Sequence, residues 1–163
     1  MKPNVIVFFT DQQRSDTTGA GGNPCGLTPN FDRVAFTGTY ASTAVTPQPV
    51  CGPARAVLQT GKYATCTGNY RNAIPLGRDQ RTMAHYFHDA GYDTAYIGKW
   101  HLDGGDYFGL GRCADGWDPD YWYDMRNYLD ELTPEERYLS RQTESMEKYD
   151  IREEFTYGHR CSD

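Results

Sequence analysis

Residues 83–101 read Met83-Ala84-His85-Tyr86-Phe87-His88-Asp89-Ala90-Gly91-Tyr92-Asp93-Thr94-Ala95-Tyr96-Ile97-Gly98-Lys99-Trp100-His101. Met83, Ala84 and Phe87 are spaced for one face of a helix, and Gly91 is its stop. Thr94-Ala95-Tyr96-Ile97 then carries the β-branched and aromatic residues of a strand. The strand releases Gly98, Lys99, Trp100 and His101 at its C-terminal end. Helix, glycine, strand and then a cationic pair is the grammar of an α/β protein, whose ligands collect at the carboxyl ends of the strands.

Upstream, Val5-Ile6-Val7-Phe8-Phe9 is a continuous apolar run halted at Thr10-Asp11, which predicts a buried parallel strand with Asp11 at its end. Thr28-Pro29-Asn30-Phe31-Asp32 places an N-cap, a proline in the first turn and an acid behind it, with Phe31, Val34 and Ala35 on one face and Gly38 as stop. Thr39 to Val45 reads as a second strand, broken by Pro47 and Pro49. Pro53 starts a helix with Ala54, Val57 and Leu58 as its apolar stripe and Gly61 as its end. The order β, α, β, α, α, β predicts a largely parallel sheet flanked by helices. From Gly104 on, glycine and aspartate mix with Tyr107, Phe108, Trp117, Tyr121, Trp122 and Tyr123, which reads as a loop-rich aromatic rim and not as a strand core. Thr133-Pro134-Glu135-Glu136 is a capping box that predicts a helix over 134–149.

Composition narrows the function classes. The 163 residues hold 16 Lys and Arg against 22 Asp and Glu, a net charge of −6, which argues against a general nucleic-acid binder. No apolar stretch approaches the roughly 18 residues of a membrane span, and the run at 5–9 is shorter than a secretory core, so no membrane partner and a cytoplasmic location are expected. Five cysteines, at 25, 51, 66, 113 and 161, are odd in number and contain no CxxC, so neither a disulfide framework nor a zinc site is indicated. His85 and His88, three residues apart with no acidic or cysteine partner nearby, read as solvent-facing.

Chemistry concentrates at Cys51-Gly52-Pro53-Ala54-Arg55, followed by Leu58-Gln59-Thr60-Gly61-Lys62. A cysteine at a helix start has its anion favoured by the dipole and by free N–H groups, and Arg55 one turn on adds a positive charge on nearly the same face. Taken alone, the pentapeptide fits an anion-binding nucleophile or a structural cysteine.

C-x-P-x-R with a following T-G resembles the type I sulfatases, members of the alkaline-phosphatase-like superfamily, in which that cysteine is oxidised to formylglycine. Pro3-Asn4-Val5-Ile6-Val7 with Asp11, Thr28-Pro29-Asn30-Phe31-Asp32, and Ala90-Gly91-Tyr92-Asp93-Thr94 leading to Gly98-Lys99-Trp100-His101-Leu102 match the same family in order and spacing. The resemblance implies an α/β catalytic domain whose N-terminal part is residues 1–103, with 104–163 an aromatic and acidic extension of it. It implies Cys51 as the formylglycine nucleophile and a metal contact, and Asp11 and Gln12 as oxygen ligands to Ca²⁺ or Mg²⁺. Arg55 would hold the hydrated aldehyde, Lys99 would touch a sulfate oxygen, and His101 would be the diol's partner and the base for its collapse. The partners implied are a small-molecule or carbohydrate sulfate ester and a formylglycine-generating maturation enzyme.

Asp11-Gln12-Gln13-Arg14 stands where many sulfatases carry Asp-Asp, a variant the resemblance also associates with phosphonate and phosphate monoester hydrolases. Family members run to several hundred residues and take further metal ligands, a second Lys and a leaving-group His from later sequence. The chain is therefore expected to be an N-terminal piece, catalytically incomplete alone, with unpaired strand edges that favour self-association.

Overall fold

The computed structural model describes residues 2–105 and 108–140. Two compact units emerge, Met1–Pro47 and Gln48–Asp163. In the first, a short 3-10 turn over Ser15–Thr17 precedes helix α1, Pro29–Thr37. Pro29 and Gly38 bound the helix as expected, but Thr28 makes no side-chain cap. Its hydroxyl instead donates to Asp32 Oδ1 at 3.0 Å and accepts the Gly19 N–H at 3.0 Å, while Ala20 N–H donates to the same Asp32 oxygen at 2.8 Å. Asp32 thus gathers the loop in front of its own helix.

The strands expected over 5–9 and 39–45 do not form. A strand exists only as part of a ladder, and among the described residues no neighbour pairs with either segment. Ile6 and Phe8 are 88% and 87% exposed, so the apolar run that reads as buried has nothing to be buried against. Asp11 accordingly follows an unpaired segment and not a strand end.

The second unit contains helices α2 (Cys51–Thr60), α3 (Ala64–Thr67) and α4 (Met83–Asp89), strand β1 (Tyr96–Gly98), strand β2 (Trp122–Asp124), and helices α5 (Met125–Glu131) and α6 (Pro134–Ser140). Helix α2 starts two residues before Pro53, at Cys51, and closes on Gly61 in the left-handed region, φ 68°. Strands β1 and β2 pair in parallel, Tyr96 with Trp122 and Gly98 with Asp124. The aromatic stretch expected as a rim therefore supplies a strand and two tryptophans, Trp117 and Trp122, packed against the core. Tyr96 stacks on Trp122 with centroids 5.0 Å apart and meets Trp100 and Trp117 edge-on. Ala56 and Leu102 complete the cluster, which also receives Leu76 and Ala114. Each such ring contact adds about 0.5–1.5 kcal/mol beyond the area it buries.

The capping box at 133–136 forms, Glu136 Oε2 accepting the Thr133 N–H at 2.9 Å and Thr133 Oγ accepting the Glu136 N–H at 3.2 Å. The expected continuation of α6 over 141–149 lies outside the described residues. No helix among the described residues is long and apolar enough to cross a membrane.

Candidate active site

Helix α2 presents Cys51 at its first position, half-buried, with Gly52, Pro53 and Arg55 buried behind it. Three residues after Tyr96, the carbonyl of Lys99 accepts hydrogen bonds from Arg55 Nη1 and from the Tyr96 hydroxyl. Arg55 therefore ties the cysteine-bearing helix to the segment leaving β1. Lys99 and His101 are 7% and 8% exposed, and His101 takes the left-handed conformation at φ 58°. For a residue other than glycine such a backbone costs on the order of 1–3 kcal/mol and is held only where its surroundings impose it. Arg55 and the Lys99 main chain are thus brought together, with Cys51 one turn before Arg55 on the same helix and His101 two residues beyond Lys99. Asp11 and Gln12 belong to the Met1–Pro47 unit, where both are exposed.

The helix start offers an anion fewer N–H groups than a regular one. Gly52 N–H donates to Asn72 Oδ1 at 2.8 Å, Pro53 has none, and Ala54 N–H donates to the Val50 carbonyl at 2.9 Å. Of the four N–H positions without an intrahelical partner, residues 50–53, two are thereby committed or missing.

Asp124 is the residue that the sequence reading overlooks. It ends β2 opposite Gly98, has no exposed surface, and caps α5, its Oδ1 accepting N–H groups of Arg126 and Asn127 at 2.9 and 3.1 Å. Asn127 Oδ1 returns a bond to Asp124 N–H at 3.0 Å, so Asp-x-x-Asn was the available signal. Burial pushes the Asp124 carboxyl above its ordinary range, aided by the Asp103 carboxylate. The two backbone N–H bonds offset this in part. Because the folded state holds this proton more tightly than the unfolded chain, stability falls as pH rises from the ordinary carboxyl range through the raised folded value. Asp124→Asn keeps the cap and removes the charge. It should raise the unfolding midpoint at pH 7, and the gain should vanish in acid. A lower midpoint at pH 7 than wild type would contradict the cost assigned to the buried charge.

His85 is a cap as well, its Nδ1 accepting the Thr82 N–H at 3.1 Å, so it does not simply face solvent. The Cys113 thiol donates to the Trp117 carbonyl at 3.4 Å, and burial first, then Asp118 and Asp115, pushes it up, which fits a structural cysteine. A cavity of about 370 Å³ adjoins the same post-β1 segment, lined by Leu76, Arg78, Trp100, Leu102, Asp103 and Arg112 among others.

Among the described residues no three His, Cys, Asp or Glu side chains gather to hold a metal. The carboxylate of Asp11 and the amide oxygen of Gln12 are hard donors suited to Ca²⁺ or Mg²⁺, but such ions want about 6–8 and 6 oxygens respectively. The residues present do not by themselves fit a complete cation site.

The C-x-P-x-R helix is joined through Arg55 to the strand end that carries G-K-W-H. The sulfatase family model matches residues 3–162, and the chain belongs to the sulfatase family. It is 46% identical over 166 residues to the uncharacterized sulfatase YidJ of Escherichia coli, covering 99% of this chain and 33% of that protein. It is 34% identical over 137 residues to the N-acetylglucosamine-6-O-sulfatase of Bacteroides thetaiotaomicron, covering 79% and 25%. A solved structure in complex with its substrate D-glucosamine-2-N,6-O-disulfate superposes with a TM-score of 0.57 at 34% identity, covering 75% of this chain and 23% of that one. The chain spans a quarter to a third of the length of these curated relatives.

Proposed function

We propose that the protein hydrolyses a sulfate ester, with Cys51 matured to formylglycine as the nucleophile. The observation that carries the reading is the bond from Arg55 to the Lys99 carbonyl, which joins the modification motif to the cationic strand end. A hydrated formylglycine would supply one hydroxyl to attack sulfur as the ester S–O bond breaks and the alcohol leaves, and a second whose deprotonation re-forms the aldehyde and expels sulfate. The chain's own residues supply the surroundings. Lys99 neutralises a sulfate oxygen, His101 takes the proton of the remaining hydroxyl as sulfate leaves, and Arg55 fixes the angle at which α2 presents residue 51. Asp11 and Gln12 would contribute two of the oxygens that a divalent cation, Ca²⁺ or Mg²⁺, requires.

A carbohydrate sulfate is the substrate class favoured, because relatives named above act on or bind sulfated glucosamine. Gln12 in place of a second aspartate favours a second reading, a phosphonate or phosphate monoester hydrolase. Coexpression of the complete reading frame with a formylglycine-generating enzyme, intact-peptide mass spectrometry of Cys51 and parallel assays on an aryl sulfate and an aryl phosphonate monoester test both. Aryl sulfate should be turned over at least ~10-fold faster, a transition-state preference of about 1.4 kcal/mol. Faster phosphonate turnover would select the second reading, and an unmodified thiol would remove the formylglycine step.

A further inference from the structure

The turn that carries Cys51 is gripped on both sides by one loop, residues 69–74. Before the cysteine, Gln48 Nε2 donates to the Tyr70 carbonyl at 2.7 Å. After it, the N–H of the peptide that joins Cys51 to Gly52 donates to Asn72 Oδ1 at 2.8 Å. The loop is built to hold that oxygen in place. Asn69 has no exposed surface, and its Nδ2 donates to the Ile74 carbonyl, closing the loop on itself. Ala73, next to Asn72, sits at φ 66°, and among the described residues Ala73 and His101 are the non-glycine residues with positive φ. One of these strained residues is in the candidate site and the other supports Asn72, and backbone strain of this kind persists where the surroundings over-determine a geometry. Gly52 completes the fit, because a Cβ there would lie 3.1 Å from Asn72 Oδ1 and 3.5 Å from Asn69 Oδ1.

We infer that Asn72 is a positioning residue for the nucleophile, and that it acts by fixing the Cys51–Gly52 peptide plane. The direction of the Cys51 Cα–Cβ bond, and of anything built on it, is set by that plane. The inference rests on the proposed sulfatase reading. A nucleophile displaced by about 1 Å costs on the order of 10²-fold in rate, whereas binding of the ester by Lys99 and its neighbours is left intact.

The test uses enzyme expressed from its complete reading frame with a formylglycine-generating enzyme, assayed on an aryl sulfate, with rates expressed per formylglycine by mass spectrometry. Asn72→Ala should lower kcat by roughly 10–100-fold with KM within about 3-fold. Asn72→Asp keeps an oxygen acceptor for the same N–H and should recover kcat to within about 3-fold of wild type. Gly52→Ala, which presses a methyl on the same oxygen, should also lower kcat, and its loss should largely disappear in the Asn72→Ala background, as for two changes acting through one contact. An active wild type with undiminished kcat in Asn72→Ala overturns the inference alone. Losses that multiply in the double variant, or no recovery in Asn72→Asp, overturn it too. A fully matured wild type that turns over no ester overturns the sulfatase reading and this inference together.

Discussion

Cys51→Ala should abolish turnover of a sulfate ester, with kcat at least ~10³-fold below wild type, as for removal of other enzymes' nucleophiles. The expectation follows from the place of residue 51 in the fold. It occupies the first position of α2, half-buried, while its neighbours Gly52, Pro53 and Arg55 are buried and carry the packing of the turn. Alanine is the best helix former and removes only the sulfur of a half-buried side chain, so the unfolding midpoint should stay close to that of wild type. Cys51→Ser adds a second arm. A serine offers one hydroxyl where a hydrated formylglycine offers two, so it should release at most one equivalent of alcohol and then stall. Stopped-flow release of a nitrophenol, read against steady-state turnover, separates the cases. Undiminished steady-state turnover in Cys51→Ala would show that the nucleophile lies elsewhere.

The parts of the fold legible in the sequence are those whose signal is local. Pro29 with Gly38, Gly61 after Thr60, and Thr133 with Glu136 each act through residues within a few positions, and each element forms. What failed depends on distant partners. Val5–Phe9 has the composition of a central strand but becomes one only if neighbouring strands are supplied, and the described residues supply none. Conversely, Trp122–Asp124 reads as rim because tryptophan and tyrosine among aspartates and glycines look like loop. It becomes a strand because Tyr96 offers Trp122 a stacking face 5.0 Å away. At the site, the motif C-x-P-x-R points to Cys51 and Arg55, yet nothing in it says that Arg55 would commit a donor to the Lys99 carbonyl. Nor could it say that Asn72, twenty residues on, would take the N–H of Gly52.

Lys99→Met and His101→Asn should each lower kcat by about 10²–10³-fold, the range found on removing one group that stabilises developing charge. Both side chains are nine-tenths buried, so substitutions of similar volume are the informative ones: methionine keeps the aliphatic stem of the lysine, and asparagine keeps a polar head in place of the imidazole. The main chain on which they sit is fixed independently, because the Lys99 carbonyl is held by Arg55 and by the Tyr96 hydroxyl, neither of which either substitution removes. The fold should therefore survive, and the loss should appear in kcat. The two variants should differ in kind. Lys99→Met removes a fixed positive charge, so KM for the anionic ester should rise along with the fall in kcat. His101→Asn removes a proton carrier, so it should flatten one limb of the pH–rate profile and respond to added imidazole, while KM stays near wild type. Imidazole rescue of Lys99→Met but not of His101→Asn would reverse the two roles, and wild-type kinetics in both would place the sulfate contacts outside the strand end of β1.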